Sequence, residues 1–187
     1  TFNFKGATIA STAIDEITAI ENFVVSDDTS TDITLANENT ADGKSLSVDG
    51  RAITTTSNTF AVDASAEADG AVTVHGSAGI DTLTGSQSDM GDNLMGHAGA
   101  DNFVFAAANL TTLDTVDGGV GTDTVKIATG TTIDADFTNV SNVEALSFTG
   151  ATTATLGTAY SASGSVDVIL TTGTNDLTMD AVTTAQT

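Results

Sequence analysis

The sequence predicts an all-β fold arranged as a parallel β-solenoid, and three observations lead to this prediction. Apolar residues recur two positions apart in many short runs, Gly, Asn and Asp separate these runs, and a nine-residue pattern rich in Gly and Asp repeats along the chain. A period of two is that of a β-strand, and a short repeat is typical of stacked coils. The length of 187 residues suits one such domain.

The first observation concerns eight short runs in which apolar and often β-branched residues alternate with polar ones. This alternation favours strands that bury one face. The chain contains no Pro, which leaves the protection of strand edges to charge and to stacking neighbours. The runs are 33–35, 45–48, 59–62, 71–74, 125–127, 146–148, 166–170 and 177–179.

Helical signals are weak and lie in residues 11–20. Ser11 or Thr12 can cap a helix there, and Ile14 and Ile17 would share one face, but β-branched residues crowd the segment. We therefore expect one helical or turn-rich segment at this place and strands elsewhere.

Composition excludes several classes of function. Asp and Glu number 25 against four Lys and Arg, and the net charge of −21 argues against nucleic acids and anionic membranes as partners. The absence of Cys excludes disulfides, thiolate nucleophiles and Cys-ligated zinc. With 40% hydrophobic residues the chain should fold, and with only 5% aromatic residues we expect a thin core of Val, Ile, Leu and Ala. No apolar stretch reaches the length of a membrane span, so we expect no direct membrane insertion.

The repeat has Gly at its first and fourth positions, Asp at the sixth and a large apolar residue at the eighth. It occurs at 76–84, 96–104 and 118–126, and residues 85–95 form an eleven-residue variant. Glycines permit tight turns whose carbonyl groups can face one ion, and the Asp carboxylate is an oxygen ligand of the kind that Ca²⁺ prefers. The last three residues of each repeat predict a short strand.

Two repeats make one coil in this interpretation, so alternate loops should stack on the same side. Asp81 and Asp101 are 20 residues apart and should share a side. Asp92 should then face the opposite way, above the loop of Asp123.

The repeats resemble those of the RTX family, which are bacterial calcium-binding nonapeptide-repeat proteins exported by type I secretion. The close resemblance covers about a fifth of the chain, and only the repeat at 118–126 has both opening glycines. Residues 71–76, 114–119 and 139–144 look like the strand-repeat segments of surface-layer proteins and large adhesins. The resemblance implies a right-handed parallel β-roll with calcium-binding turns and flanking short-strand coils, with about two to four Ca²⁺ ions.

We predict the metal-ligating positions from the motif and from this resemblance. They comprise the carboxylates of the repeats and the turn residues whose backbone carbonyls would face the ion, among which the carbonyl of His97 is a further candidate. The predicted positions are Gly76, Ala78, Gly79, Asp81, Asp89, Asp92, Gly96, Ala98, Gly99, Asp101, Asp117, Gly118, Val120, Gly121 and Asp123.

Catalysis is not expected. His75 and His97 lie in no nucleophile or metalloprotease motif, and the nearest carboxylate pairs, Asp89 with Asp92 and 134 with 136, lack the aromatic platforms of sugar-cleaving sites. Solvation or auxiliary calcium ligation explains these carboxylates better.

Three segments are predicted: strand-rich coils at 1–75, a calcium-binding β-roll at 76–126, and strand-rich coils at 127–187. The third resembles the start of a second module, since residues 17–25 resemble 138–148, with Glu21 and Glu144 matched at an offset of 123. Further pairs, 35 with 156, 43 with 164 and 62–64 with 179–181, follow in order.

The predicted function is that of a calcium-dependent building block of a secreted, extracellular bacterial assembly such as a surface layer, a filament or a matrix fibre. A spacer module of a large adhesin, and a calcium-triggered secretion and folding segment of an RTX toxin or enzyme, remain alternatives. The expected partners are other copies of the chain, and a cell-surface polysaccharide is a further candidate.

Overall fold

The computed structural model describes residues 1–5, 8–10, 14, 17–18, 20–162, 167–171 and 173–179. It is a parallel β-solenoid of about seven coils, as the sequence predicts. Successive strands alternate between two long sheets, and each strand pairs in parallel with the equivalent strand of the next coil. This arrangement lets short strands with one apolar face bury that face inside the coil.

Seven strands form the first sheet, which has the order β1-β3-β5-β7-β9-β12-β16. Its strands are β1 (Phe2–Phe4), β3 (Asn22–Val25), β5 (Ser45–Asp49), β7 (Ala71–His75), β9 (Asn93–Met95), β12 (Thr115–Asp117) and β16 (Val140–Ser141).

Eight strands form the second sheet, which has the order β19-β17-β14-β11-β8-β6-β4-β2. Its strands are β2 (Thr8–Ile9), β4 (Thr31–Thr34), β6 (Thr59–Asp63), β8 (Ile80–Thr84), β11 (Asn102–Ala106), β14 (Thr124–Ala128), β17 (Ala145–Phe148) and β19 (Asp167–Leu170).

Two smaller sheets join the coils at their corners. One pairs β10 (Ala98–Gly99) with β13 (Val120–Gly121), and the other has the order β15-β18-β20, with β15 (Gly130–Thr132), β18 (Thr152–Leu156) and β20 (Asp176–Met179). Short 3-10 helices occur at Asn37–Asn39 and Asp134–Phe137, and a five-residue helix, α1, spans Thr158–Ala162.

The core consists of apolar side chains stacked in register along the solenoid. In the second sheet, Leu83 pairs with Phe103, Phe103 with Val125 and Val125 with Leu146, and all four side chains are buried. The first sheet contributes a parallel stack around Val74, Leu94 and Val116. Contact between like side chains of successive coils gives the thin interior a continuous apolar column.

Aromatic residues contribute more to this core than the composition predicted. The expectation of a Val, Ile, Leu and Ala core is wrong in one respect, because six of the eight phenylalanines are fully buried. A narrow coil has few inward positions, so each buried ring fills a large share of its layer. The buried rings are Phe23, Phe60, Phe103, Phe105, Phe137 and Phe148.

Each of the eight alternating runs lies at a strand, which confirms that part of the prediction. The short helix α1 was not expected, because its five residues lack an amphipathic repeat. The predicted helical segment at 11–20, and the similar pairs at residue 164 and at 180–181, fall largely outside the described residues. The segments headed by Glu21 and Glu144 lead into β3 and β17, which belong to different sheets.

Candidate metal centre

Carboxylates of three successive coils form one buried column at the N-terminal ends of three strands of the second sheet. The register of β8, β11 and β14 places Asp81 beside Asp101 and Asp101 beside Asp123, and all three side chains are at most 1% exposed. The backbone N–H of Asp81 donates to Asp101 Oδ1 at 2.9 Å, and that of Asp101 donates to Asp123 Oδ1 at 2.8 Å. The column continues to Glu144, whose Oε2 accepts the N–H of Asp123 at 2.7 Å. This confirms that Asp81 and Asp101 share a side.

A second column lies at the N-terminal ends of strands in the first sheet. Asp92 Oδ1 accepts the backbone N–H of Val72 at 2.9 Å, and Asp114 Oδ1 accepts the N–H of Asp92 at 2.7 Å. Both carboxylates are buried. In each column, charge-assisted hydrogen bonds therefore connect the start of one strand to the carboxylate of the next coil along the chain.

The predicted pairing of Asp92 with the loop of Asp123 is wrong, because Asp123 continues the column of Asp101 and Asp114 stands next to Asp92. The excursion at 106–115 buries Leu110 and returns the chain to the first sheet, so it forms half of a coil by itself. Asp114 is a column residue that was not predicted from the sequence. The signal was present, since Asp-x-apolar spacing occurs both at Asp114 and at Asp92.

In three loops, a Ser or Thr residue donates hydrogen bonds to the carboxylate that belongs to the same loop. Asp81 accepts the backbone N–H of Ser77 at 2.6 Å on Oδ2 and the Ser77 hydroxyl on Oδ1. Ser86 makes the same two bonds to Asp92, at 2.7 and 2.9 Å. The backbone N–H and the hydroxyl of Thr111 both donate hydrogen bonds to Oδ2 of Asp114. These three carboxylates need no cation to be fully paired.

The other two loops leave a carboxylate oxygen unpaired. Among the described residues, the buried Oδ2 atoms of Asp101 and Asp123 have no hydrogen-bond partner. The residue at the position of Ser77 is His97 in one loop and Gly119 in the other, with φ of 71° and 90°. Neither residue carries a hydroxyl, so these two loops lack the side-chain donor that completes the pairing of Asp81. An unpaired carboxylate oxygen in this setting is costly, and a cation would relieve the cost.

The first glycine of each repeat makes room for the carboxylate. A Cβ at Gly76 or Gly96 would overlap Oδ2 of Asp81 or Asp101, and a Cβ at Gly118 would lie 2.7 Å from Asp123 Oδ2. Real Cβ atoms essentially never approach another heavy atom this closely. The first glycine is therefore required by packing against the aspartate.

The fourth glycine allows the coils to stack. A Cβ at Gly99 would overlap the carbonyl oxygen of Gly79, and a Cβ at Gly121 would overlap that of Gly99. Ala98 pairs with Val120 in the same corner, and the carbonyl of His97 accepts the N–H of Val120 at 2.8 Å. The His97 carbonyl, a predicted ion ligand, thus takes part in a bond between coils.

The remaining predicted site residues lie outside the two carboxylate columns. Asp89 is exposed in the bend before β9. Asp117 faces outward at the end of β12, where its Oδ1 accepts the side-chain amide of Asn142 at 2.7 Å. Ala78 donates its backbone N–H to the carbonyl of Ile53 at 3.0 Å, which joins two coils.

Burial shifts the acid–base behaviour of the columns. Loss of solvent raises the pKa of Asp81 to about 6 and that of Asp101 to about 7, and the charges of Asp81 and Asp123 add to the shift of Asp101. Burial likewise raises the pKa of Asp92, Asp114 and Asp123, against the lowering effect of their hydrogen bonds. A bound cation would reverse this by favouring the ionised form.

The donor set fits a hard divalent cation at the two unpaired loops. Asp101 and Asp123 present carboxylate oxygens, and the carbonyl oxygens of Gly118 and Asn142 border the same glycine positions as their Oδ2 atoms. Carboxylate and carbonyl oxygens are the ligand chemistry of Ca²⁺. No group of three or more Asp, Glu, His or Cys side chains in metal-binding proximity occurs within the described ranges. An ion here would therefore depend on one carboxylate for each loop, with carbonyl groups and water completing its coordination.

Comparison with known proteins does not add to this geometry. No family model, curated protein or solved structure matches the chain. In the part of the chain that the structure describes, none of the helices has the length and apolar character of a membrane span.

The metal-free protein is expected to lose stability as the pH rises from about 4 to about 7. The pKa of Asp81 is about 6 and that of Asp101 about 7, against an ordinary value of 3.8, so the folded state binds more protons than the unfolded state across this range. Each unit of pKa corresponds to about 1.4 kcal/mol. Thermal unfolding in chelator should give a higher Tm at pH 4.5 than at pH 7.5. A Tm that instead rises with pH would contradict the assigned burial of these carboxylates.

Proposed function

We propose that this chain is a structural β-solenoid module whose loops at Asp101 and Asp123 bind Ca²⁺, and that it serves in a secreted bacterial assembly at or beyond the cell surface. One observation carries the proposal: two buried carboxylate oxygens in adjacent coils have no hydrogen-bond partner among the described residues. Ca²⁺ between the stacked turns would pair both oxygens and hold the coils together.

Charge supports a dependence on the ion. The chain carries a net charge of −21, and its buried column brings Asp81, Asp101 and Asp123 into register. Repulsion within the column opposes folding unless the carboxylates are protonated or bound to cations. Binding to the folded state alone stabilises it by about 2.7 kcal/mol for each site when Ca²⁺ exceeds Kd a hundredfold. Low calcium inside a cell would then disfavour folding, and high calcium outside would favour it.

The difference between the two kinds of loop favours a small number of bound ions. Ser77 and Ser86 already pair the carboxylates of Asp81 and Asp92, whereas the loops at His97 and Gly119 carry no hydroxyl. We therefore propose two calcium sites, at the lower end of the expected range. The loop at 118–126, with its two opening glycines, is also the one closest to the RTX pattern.

Assembly is supported by the open end of the second sheet. Among the described residues, strand β19 pairs with a neighbour on one side only, and its Ile169 and Leu170 are 46% and 47% exposed. A free strand edge with apolar side chains is a template for pairing with another coil. We propose that other copies of the chain supply this coil in the assembled state.

The test is a calcium titration of chelated protein at pH 7.5, followed by circular dichroism and light scattering. We expect Ca²⁺ to increase the strand signal and then the scattering mass, and Mg²⁺ at equal concentration to do neither, because Mg²⁺ demands a tighter octahedral site. Chelated protein that is as ordered as the calcium-loaded form would contradict the calcium sites. Protein that folds with calcium but stays monomeric would contradict the assembly and favour a spacer module.

A further inference from the structure

A pair of histidines lies outside the carboxylate columns, on the outer face of the first sheet. His75 is the last residue of β7, and His97 follows β9 on the next coil. Nδ1 of His75 lies 3.3 Å from Nε2 of His97, and the ring centroids are 5.6 Å apart at an interplanar angle of 19°. These are the only two imidazoles of the chain, and the coil repeat brings them together.

The separation of the two nitrogens suits ligation of one metal ion. Two nitrogens that bind Zn²⁺ at 2.0–2.1 Å with tetrahedral angles lie about 3.3–3.4 Å from each other. Imidazole nitrogen is a preferred ligand of Zn²⁺, Cu²⁺ and Ni²⁺, whereas Ca²⁺ prefers oxygen. The pair therefore has a different metal preference from the carboxylate loops.

The backbone at His97 gives a second, independent argument. His97 has φ of 71°, and the equivalent residue of the next coil, with φ of 90°, is Gly119. Glycine adopts this left-handed conformation without strain, while other residues pay a conformational cost for it. The chain thus keeps an imidazole at a left-handed loop position that glycine occupies in the next coil. Strain of this kind is found at functional sites.

The surroundings leave the rings available to an ion. Asp49 pairs in register with His75 but is bound to Arg51 by a salt bridge of 2.7 Å. On the opposite side of His75 from Asp49, Met95 pairs in register with Asp117, and the carboxylate of Asp117 accepts the side-chain amide of Asn142.

We propose that His75 and His97 together bind one divalent transition-metal ion of the Zn²⁺, Cu²⁺ and Ni²⁺ class, with water in its remaining coordination positions. The site lies on the surface of two adjacent coils, so metal binding would link these coils through imidazole nitrogens, which the proposed calcium sites do not use. It requires only that the solenoid is folded.

The first test is titration calorimetry with Zn²⁺ at pH 7.5 in saturating Ca²⁺, which keeps the solenoid folded and occupies the carboxylates. Wild-type protein should bind one Zn²⁺ for each chain. His97→Asn removes a ligand and keeps a residue that tolerates positive φ, and His75→Gln removes the other ligand. Each variant should weaken Zn²⁺ binding about tenfold or more, and Asp89→Asn, an exposed carboxylate, should not. Zn²⁺ affinity that is unchanged in both histidine variants would overturn the proposal.

A spectroscopic measurement on the unmodified protein does not depend on how the variants fold. Cu²⁺ added at one equivalent in saturating Ca²⁺ should give an electron paramagnetic resonance spectrum with hyperfine splitting from two nitrogen ligands. A spectrum with oxygen ligands alone would overturn the proposal while leaving the calcium sites intact. Failure of the calcium titration with retained nitrogen splitting would reject the calcium function and keep the histidine site.

Discussion

Replacing Asp101 and Asp123 together by asparagine is expected to abolish the stabilisation of the protein by Ca²⁺. The two carboxylates hold the buried Oδ2 atoms that lack a partner among the described residues, and an amide oxygen is a weaker calcium ligand without charge. At a hundredfold excess of Ca²⁺ over Kd, the loss for two sites is about 5 kcal/mol. Thermal unfolding with and without Ca²⁺ measures this directly as the calcium-induced change in Tm.

The matched control removes two charges elsewhere. Asp32→Asn with Asp89→Asn changes the net charge by the same amount, but both side chains are exposed and neither lies in a carboxylate column. This control should keep the full response to Ca²⁺. Asp81→Asn should also keep it, because Ser77 already pairs both oxygens of Asp81. A control that loses the response while the Asp101 and Asp123 variant retains it would refute the division of the loops into two kinds.

Gly79→Ala is expected to destabilise the solenoid by about 3 kcal/mol, at the upper end of the cost of overpacking. Gly79 is buried in the corner of its coil, and a Cβ there would overlap the carbonyl oxygen of Asn58 on the preceding coil. The neighbouring atom belongs to the backbone, so the two coils must separate to make room. Chemical denaturation in saturating Ca²⁺ would measure the loss as a lower midpoint.

Gly43→Ala provides the comparison for this substitution. Gly43 is exposed, has φ of 69° and would place a Cβ with nothing within 4 Å. The cost there is that of a left-handed backbone alone, about 1 kcal/mol. Equal destabilisation by the two substitutions would show that coil stacking places no steric demand on Gly79.

Much of the solenoid could be predicted from local patterns. Runs such as 71–74 and 125–127 alternate with period two, and both are strands in the structure. The coil repeat predicted that Asp81 and Asp101 stack, and they do. It failed for Asp123 because the excursion at 106–115 forms half of a coil, and the nine-residue pattern alone does not count this half.

Local patterns along the chain specify the parallel coil and the position of an aspartate at the sixth place of each repeat. These features follow from glycine, aspartate and apolar residues at fixed spacing, which act within one or two strands. Tertiary structure alone decided which carboxylates remain unpaired, that Asp114 stands beside Asp92, and that two imidazoles 22 residues apart meet. Each of these features depends on which residue of the next coil lies in contact with a given side chain. The register between coils sets this contact, and the neighbours along the chain do not.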